Sequence, residues 1–160
     1  MLSIKIIASG EFREKYLQDA AEEYKKRLSS WCELSEYIFK ENKLPENPNN
    51  TQIEESLKAE EKIILDKIPP RSFVIAMCIE GKQFSSEELA VKFQEIQNLG
   101  FSEMVFVIGS SYGLSQKIKD MANLRMSVSK LTFPHRLFRV MLYETIYRSL
   151  SINNGSKYHK

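Results

Sequence analysis

Histidine and cysteine are scarce in this chain, with two of each among 160 residues. The histidines are His135 and His159, the cysteines Cys32 and Cys78, and none sits in a CxxC, HExxH or mixed Cys/His spacing. A structural zinc site or a metalloprotease centre needs such a cluster, so no metal is expected. A GxSxG turn is also missing, as is any Asp/Glu pair at an evident catalytic spacing, which leaves hydrolase chemistry without support. Cys32 and Cys78 lie far apart in apolar, strand-like runs, the usual setting of buried free thiols in a reducing compartment. No apolar run approaches the roughly 20 residues of a membrane span, and "MLSIKIIASG" is too short for a leader and enters structure at once. The expectation is a cytoplasmic protein with no membrane partner.

What is present is an ordinary globular composition, 42% hydrophobic and 28% charged. At this length the simplest organisation is one domain spanning residues 1–160, large enough for a real core. The net charge of +2 says little about partners. Its distribution says more: from Arg125 onward the bases are Arg125, Lys130, Arg136, Arg139, Arg148, Lys157 and Lys160, against Glu144 alone. Such an excess suits a phosphate-bearing or polyanionic partner, and equally a solvated face.

The chain alternates strand and helix signals. "LSIKIIA" reads as a strand stopped at Ser9-Gly10, and Glu14 to Ser29 carries Tyr16, Leu17, Ala20, Ala21, Tyr24 and Leu28 along one helical face. "CELSEYIF" is a second strand, followed by the polar loop "KENKLPENPNN". Thr51 with Glu54 is a candidate capping box for a helix through Leu57 and Ile64 that ends before Pro69-Pro70. "SFVIAMCI" and "MVFVI" are continuous apolar runs, as expected of strands covered on both faces. Between them Ser85 and Glu88 form another capping box, for a helix burying Leu89, Phe93 and Ile96 and stopping at Gly100. A short helix from Ser115 leads to a weaker strand "RMSVS". The last helix, from about His135 to Ile152, offers Leu137, Met141, Leu142, Ile146 and Leu150 as a core face. The expected class is therefore α/β, a parallel sheet flanked by helices, with ligands bound beyond the carboxyl ends of the strands.

Three strand ends carry candidate site residues. "IGSSYGLS" places two glycines four apart before a helix, where backbone N–H groups can meet an anion or a base edge. It is neither GxGxxG nor a P-loop, and an ordinary tight turn explains it as well. "CIEGK" is a turn with a glycine and a lysine. In "VSKLTFPH", Pro134 suits the first position of a helix, Thr132 could help cap it, and His135 would sit at the positive end of the helix dipole, which favours neutral imidazole. The tail "NNGSKYHK" reads as frayed, although tyrosine, histidine and lysine together suit contact with a nucleotide.

Taken in order, "IKIIASGEFREKYLQDAAEEYKKRL", "VIAMCIEGKQFSSEELA", "FVIGSSYGLS", "SVSKLTFPHRLFRVMLYETIYR" and the closing "YHK" resemble the RlmH family of SPOUT-class methyltransferases. The resemblance spans essentially the whole chain. It implies a C-terminal trefoil knot, S-adenosylmethionine (S-adenosyl-L-methionine) as cofactor, and a homodimer with the last helix in the interface. The implied substrate is a pseudouridine in the helix 69 loop of 23S rRNA, methylated at N3 within the assembled ribosome; neither DNA nor a membrane is a partner. Carried over residue by residue, cofactor contacts fall on Met77, Gly109, Val128, Ser129, Lys130, Leu131, Thr132 and Phe133. His135 and Arg139 suit proton removal and charge stabilisation, and Tyr158 and His159 suit a clamp on the base, contributed across the dimer. Two residues depart from the family pattern: Ser110 stands where a second glycine is usual, and Met77-Cys78 where Leu-Asp is usual. These two changes are the support for a rival, a knotted RNA- or ribosome-binding protein without activity. A nicotinamide-type oxidoreductase lacks its glycine fingerprint and ranks below both.

Overall fold

The computed structural model describes all 160 residues, Met1–Lys160. Five strands and five helices follow in the order β1 Leu2–Ser9, α1 Lys15–Leu28, β2 Cys32–Phe39, α2 Asn50–Lys67, β3 Phe73–Lys82, α3 Ser86–Asn98, β4 Glu103–Ile108, α4 Gln116–Met121, β5 Leu124–Met126 and α5 His135–Asn153. The strands form one sheet in the order β2-β1-β4-β3-β5, and every pairing is parallel. Parallel strands need crossovers, and here each is a helix.

Side-chain alternation divides the core between the two faces of the sheet. One face takes Ile4, Ile6, Phe73, Ile75, Met104 and Phe106 and is covered by Leu17 and Ala21 of α1, Leu89 and Phe93 of α3, and Leu142 and Ile146 of α5. The other takes Ile7, Val74, Ala76, Val105 and Val107, beneath Ile64 of α2 and Ile118 of α4. Strands buried on both sides explain the uninterrupted apolar runs of β3 and β4. No helix is long and apolar enough to cross a membrane.

The capping box of Ser85 and Glu88 is formed as expected, and the short helix expected from Ser115 has that serine as its N-cap. The α2 cap differs. Asn49 and Gln52 form the box, not Thr51 and Glu54, because Asn49 itself holds the extended backbone (φ −78°, ψ 170°) that lets its side chain fold back onto the Gln52 N–H. Strand β5 is only three residues long, so Ser127 to Ser129 belong to the following loop. In α5 the buried face is rotated from the expected one: Arg139, Val140, Leu142, Tyr143, Ile146 and Leu150 are buried, Met141 is half-buried and Leu137 is 38% exposed. Arg139 and Tyr143, absent from the expected apolar face, are each buried with a partner on another element. Of the cysteines, Cys32 is buried but Cys78 is only half-buried, because it lies just past the last β3–β4 pair, Met77 with Ile108.

Beyond that point the β3–β5 register breaks. Met126 pairs with both Met77 and Lys82, so Cys78 to Gly81 bow out of the ladder. Gly81 has no room for a side chain there, since an added Cβ would lie 2.5 Å from the Met126 carbonyl carbon and 2.6 Å from its nitrogen. Gly81→Ala should therefore shift β5 and cost clearly more stability than loss of the α3 cap in Ser85→Ala, about 1 kcal/mol. Urea denaturation of the two variants beside the wild type checks the order.

Candidate functional site

A cleft of about 770 Å³ opens at the carboxyl ends of the three adjacent strands β4, β3 and β5. Its walls are the segments Met77–Glu80, Ile108–Leu114 and Met126–His135, excepting Lys130, with Lys119 and Phe138 added. All three strand ends singled out in the sequence thus meet in one place.

The glycine-bearing wall is a closed turn. The Gly113 N–H donates to the Ser110 carbonyl at 2.9 Å, and Gly113 takes φ +81°, open to glycine at little cost. The turn folds back so tightly that a Cβ on Gly109 would lie 2.1 Å from the Gly113 carbonyl oxygen. Gly109 is required by the loop's own backbone, whatever binds beside it. Ser110 is not among the positive-φ residues; Arg71 is the only non-glycine one. Serine in place of a second glycine therefore carries no backbone strain, and its hydroxyl donates away to Glu60 Oε2 at 3.2 Å.

The third wall is a loop bonded to itself. The Ser127 N–H donates to the Lys82 carbonyl at 2.9 Å, Ser127 Oγ to the Ser129 carbonyl at 2.9 Å, and the Leu131 N–H to Ser129 Oγ at 3.0 Å. Val128, Ser129, Leu131, Thr132 and Phe133 line the cleft beside Met77 and Gly109. Lys130 is exposed and turned off it. Leu131 is 71% exposed at the rim. Pro134 occupies the N-cap position of α5 with no side-chain cap, so Thr132 does not serve as one; it faces the cleft.

His135 reaches the cleft from the first position of α5. Its Nε2 is buried and lies 2.7 Å from Glu41 Oε1. Burial pushes the imidazole below its ordinary pKa of 6.5; Glu41 opposes this, and the positive charges of Arg136 and Arg139 reinforce it. The ring is therefore neutral at pH 7. Glu41 is the hub of this corner, with Arg136 Nη2 at 2.8 Å and Arg13 at 3.8 Å. Burial would raise its carboxyl, but Arg136, His135 and Arg13 outweigh that and hold it below the ordinary value.

Arg139 does not line the cleft. It is 1% exposed, donates from Nη1 to the Gly10 carbonyl at 2.9 Å and lies 3.9 Å over the Phe12 ring. Arg136 donates from Nε to the Glu11 carbonyl at 2.6 Å. Together they clamp the β1–α1 turn onto the start of α5. The cation that does line the cleft is Lys119, paired with Glu80 at 2.5 Å.

Tyr158 and His159 follow the end of α5 and fold back onto the middle of that helix, at Glu144, Tyr147 and Arg148. Neither residue lines the cleft of its own chain. Tyr158 donates to Glu144 Oε1 at 3.1 Å and packs edge-on against Tyr147. His159 meets Arg148 through Nδ1 at 3.2 Å and Glu87 through Nε2 at 2.7 Å.

Residues 2–159 match the model of a family described as "Predicted SPOUT methyltransferase". The chain belongs to the SPOUT methyltransferase family. Among its relatives, the proteins named ribosomal RNA large subunit methyltransferase H from Leuconostoc mesenteroides and from Oenococcus oeni are each 45% identical to it, over 99% and 100% of this chain and 100% of each relative. The protein of the same name from Streptococcus suis is 43% identical over 99% of this chain and 100% of its own. A solved structure of a methylase family protein from Haemophilus influenzae is 13% identical, covers 98% of this chain and 70% of that one, and superposes with a TM-score of 0.54, which makes the fold common to both.

In this SPOUT chain no three His, Cys, Asp or Glu side chains come together to hold a metal ion. Glu41 was invisible in the sequence because it sits in a loop without periodicity, and its partners Arg136 and His135 are more than ninety residues away. Phe138 was hidden in the helix pattern of α5, one turn after Pro134. Removing the Glu41 charge takes away what opposes the downward shift of His135. In Glu41→Gln the His135 pKa should drop further below 6.5, as read from an NMR titration of its ring protons; a rise would contradict the arrangement.

Proposed function

We propose that the protein is a 23S rRNA methyltransferase that uses S-adenosylmethionine to methylate N3 of a pseudouridine in the helix 69 loop, acting in the cytoplasm on assembled ribosomes. The observation that carries this is the unbroken match, 45% identical from end to end, to relatives named ribosomal RNA large subunit methyltransferase H. The cleft agrees with it. Its volume of about 770 Å³ is in the range that encloses a cofactor of this size. Met77, Ile108, Met126, Val128 and Phe133 give it apolar walls, and the turns at Gly109–Gly113 and Ser127–Leu131 offer backbone polar groups. In this reading Met77, Gly109, Val128, Ser129, Leu131, Thr132 and Phe133 hold the cofactor, and Lys130, off the wall, is free for phosphate.

When bound, the cofactor supplies an electrophilic methyl group. The protein supplies placement and proton handling. N3 of the base carries a proton that must leave as the nitrogen attacks. Neutral His135, which lines the cleft, is the acceptor, through the ring nitrogen that does not face Glu41. Arg139 acts through it, biasing the ring toward the neutral form from behind. Tyr158 and His159 act on the base from a second copy, because neither lines the cleft of its own chain. The apolar surface that a partner would cover includes Leu131 and Leu137, both exposed beside the start of that helix. The knot belongs to the same reading; in its support, the end of β5 lies against the bowed Cys78–Gly81 backbone, with Met126 packed on Gly81 and the Ser127 N–H donating to the Lys82 carbonyl. The strands of these 160 residues form one sheet, and few phosphate contacts of its own would suffice for recognising a preformed ribosomal surface.

Labelled S-adenosylmethionine should transfer its methyl group to ribosomes lacking the modification and not to their isolated 23S rRNA, with the label recovered in N3-methylpseudouridine. His135→Ala should slow single-turnover transfer by about 10²–10⁴ while cofactor still binds, and His159→Ala should slow it less. Wild-type rates in both variants would send the proton elsewhere; no label on either substrate would reject the function.

A further inference from the structure

Glu60 is the only fully buried carboxylate in the chain, 2% exposed on α2, and it has no basic partner. Its hydrogen-bond partner is Ser110 Oγ at 3.2 Å, fifty residues away in the glycine-bearing turn of the cleft. The next residue, Glu61, accepts from Ser115 Oγ at 2.8 Å, and Ser115 caps α4 directly after that turn. Two consecutive carboxylates of one helix therefore grip the two ends of the segment that closes the cleft. An interior carboxylate without a cation is costly to bury. The fold has no evident need of one here: the surrounding layer of Ile64, Val74, Val107, Leu114 and Ile118 is apolar. Burial raises the Glu60 pKa, the Ser110 hydroxyl partly offsets this, and the like charge of Glu41 adds to it. The group is thus held against its own preference for water.

We infer that Glu60 is a positioning residue for the cofactor turn: through Ser110 it holds Gly109–Leu114 in the shape that receives S-adenosylmethionine. This rests on the reading of the cleft as the cofactor site. Glu60 touches no reacting atom. It acts by keeping the turn preorganised, so that binding need not bear the ordering of that loop. Ser110 is then a functional tether in this chain.

The test uses the full-length protein with Glu60→Ala, Glu60→Gln, Ser110→Ala and the Glu60→Ala/Ser110→Ala double variant. Two readouts are taken: hydrogen exchange of the 109–114 amides without cofactor, and the S-adenosylmethionine Kd by calorimetry. Expected are faster exchange at Gly113 and about a tenfold weaker Kd in Glu60→Ala. Glu60→Gln, which keeps an acceptor for Ser110, should stay within about threefold of wild type. The two alanine changes should be non-additive, as expected of two ends of one tie. The inference is overturned if Glu60→Ala leaves turn exchange and Kd unchanged, whatever its melting temperature, or if the two losses simply add. Should Glu60→Ala fail to fold, Ser110→Ala and Glu60→Gln decide: wild-type turn exchange in Ser110→Ala rejects the tie, and a Gln variant as impaired as a broken tie rejects the role of the acceptor. A wild-type protein that does not bind S-adenosylmethionine would sink the cofactor assignment, and the exchange measurement would still decide whether Glu60 orders the turn.

Discussion

The double pairing of Met126, once with Met77 and again with Lys82, is the constraint on which the cleft depends. A regular parallel ladder would have carried β3 straight past β5 and left a flat strand end. Cys78, Ile79 and Glu80 of the bowed stretch instead form one lip of the cleft, and the end of β5, Arg125 and Met126, is pressed against that stretch closely enough to require Gly81. On the next strand the Gly109–Gly113 contact has the same character: backbone meets backbone where any side chain would intrude. The cleft is thus made by close approach of main chain on two neighbouring strands, and apolar side chains only finish its walls.

Electrostatics organise the corner where α5 begins. An uncapped helix start beside two arginines would be a region of strong positive potential. Glu41 neutralises part of it, the Gly10 and Glu11 carbonyls accept from Arg139 and Arg136, and Arg139 Nε is left buried without a partner. What is left is a histidine kept uncharged between a carboxylate and two guanidinium groups. The same contacts bind the β1–α1 turn, the β2–α2 loop and α5 into one unit, so the placement of His135 depends on three elements and not on its own helix alone.

Much of this was legible in the residues. The strands β1, β3 and β4 announced themselves by apolar and β-branched runs, and the start of α3 by the capping spacing of Ser85 and Glu88, because those signals are local. The α2 cap was misplaced by two residues because Thr51-Glu54 and Asn49-Gln52 both satisfy a capping pattern, and only the backbone at Asn49 decides between them. The buried face of α5 was misjudged because periodicity counts apolar residues, whereas Arg139 and Tyr143 are buried through polar partners on other elements. The site residues at three strand ends could be named, but Glu41 and Glu60 could not. Their meaning lies in contacts with residues about fifty to a hundred positions away, where a single sequence carries no mark of pairing.

The anchoring of the tail has an optical side. Trp31 is the only tryptophan; it stacks on Tyr147 at 5.0 Å between ring centroids, and Tyr147 in turn meets Tyr158 at 4.7 Å. Light absorbed selectively by one indole therefore senses a ring pair whose outer member belongs to the last three residues of the chain. The protein carries its own unlabelled fluorophore for following when its carboxyl terminus leaves its berth and when it returns.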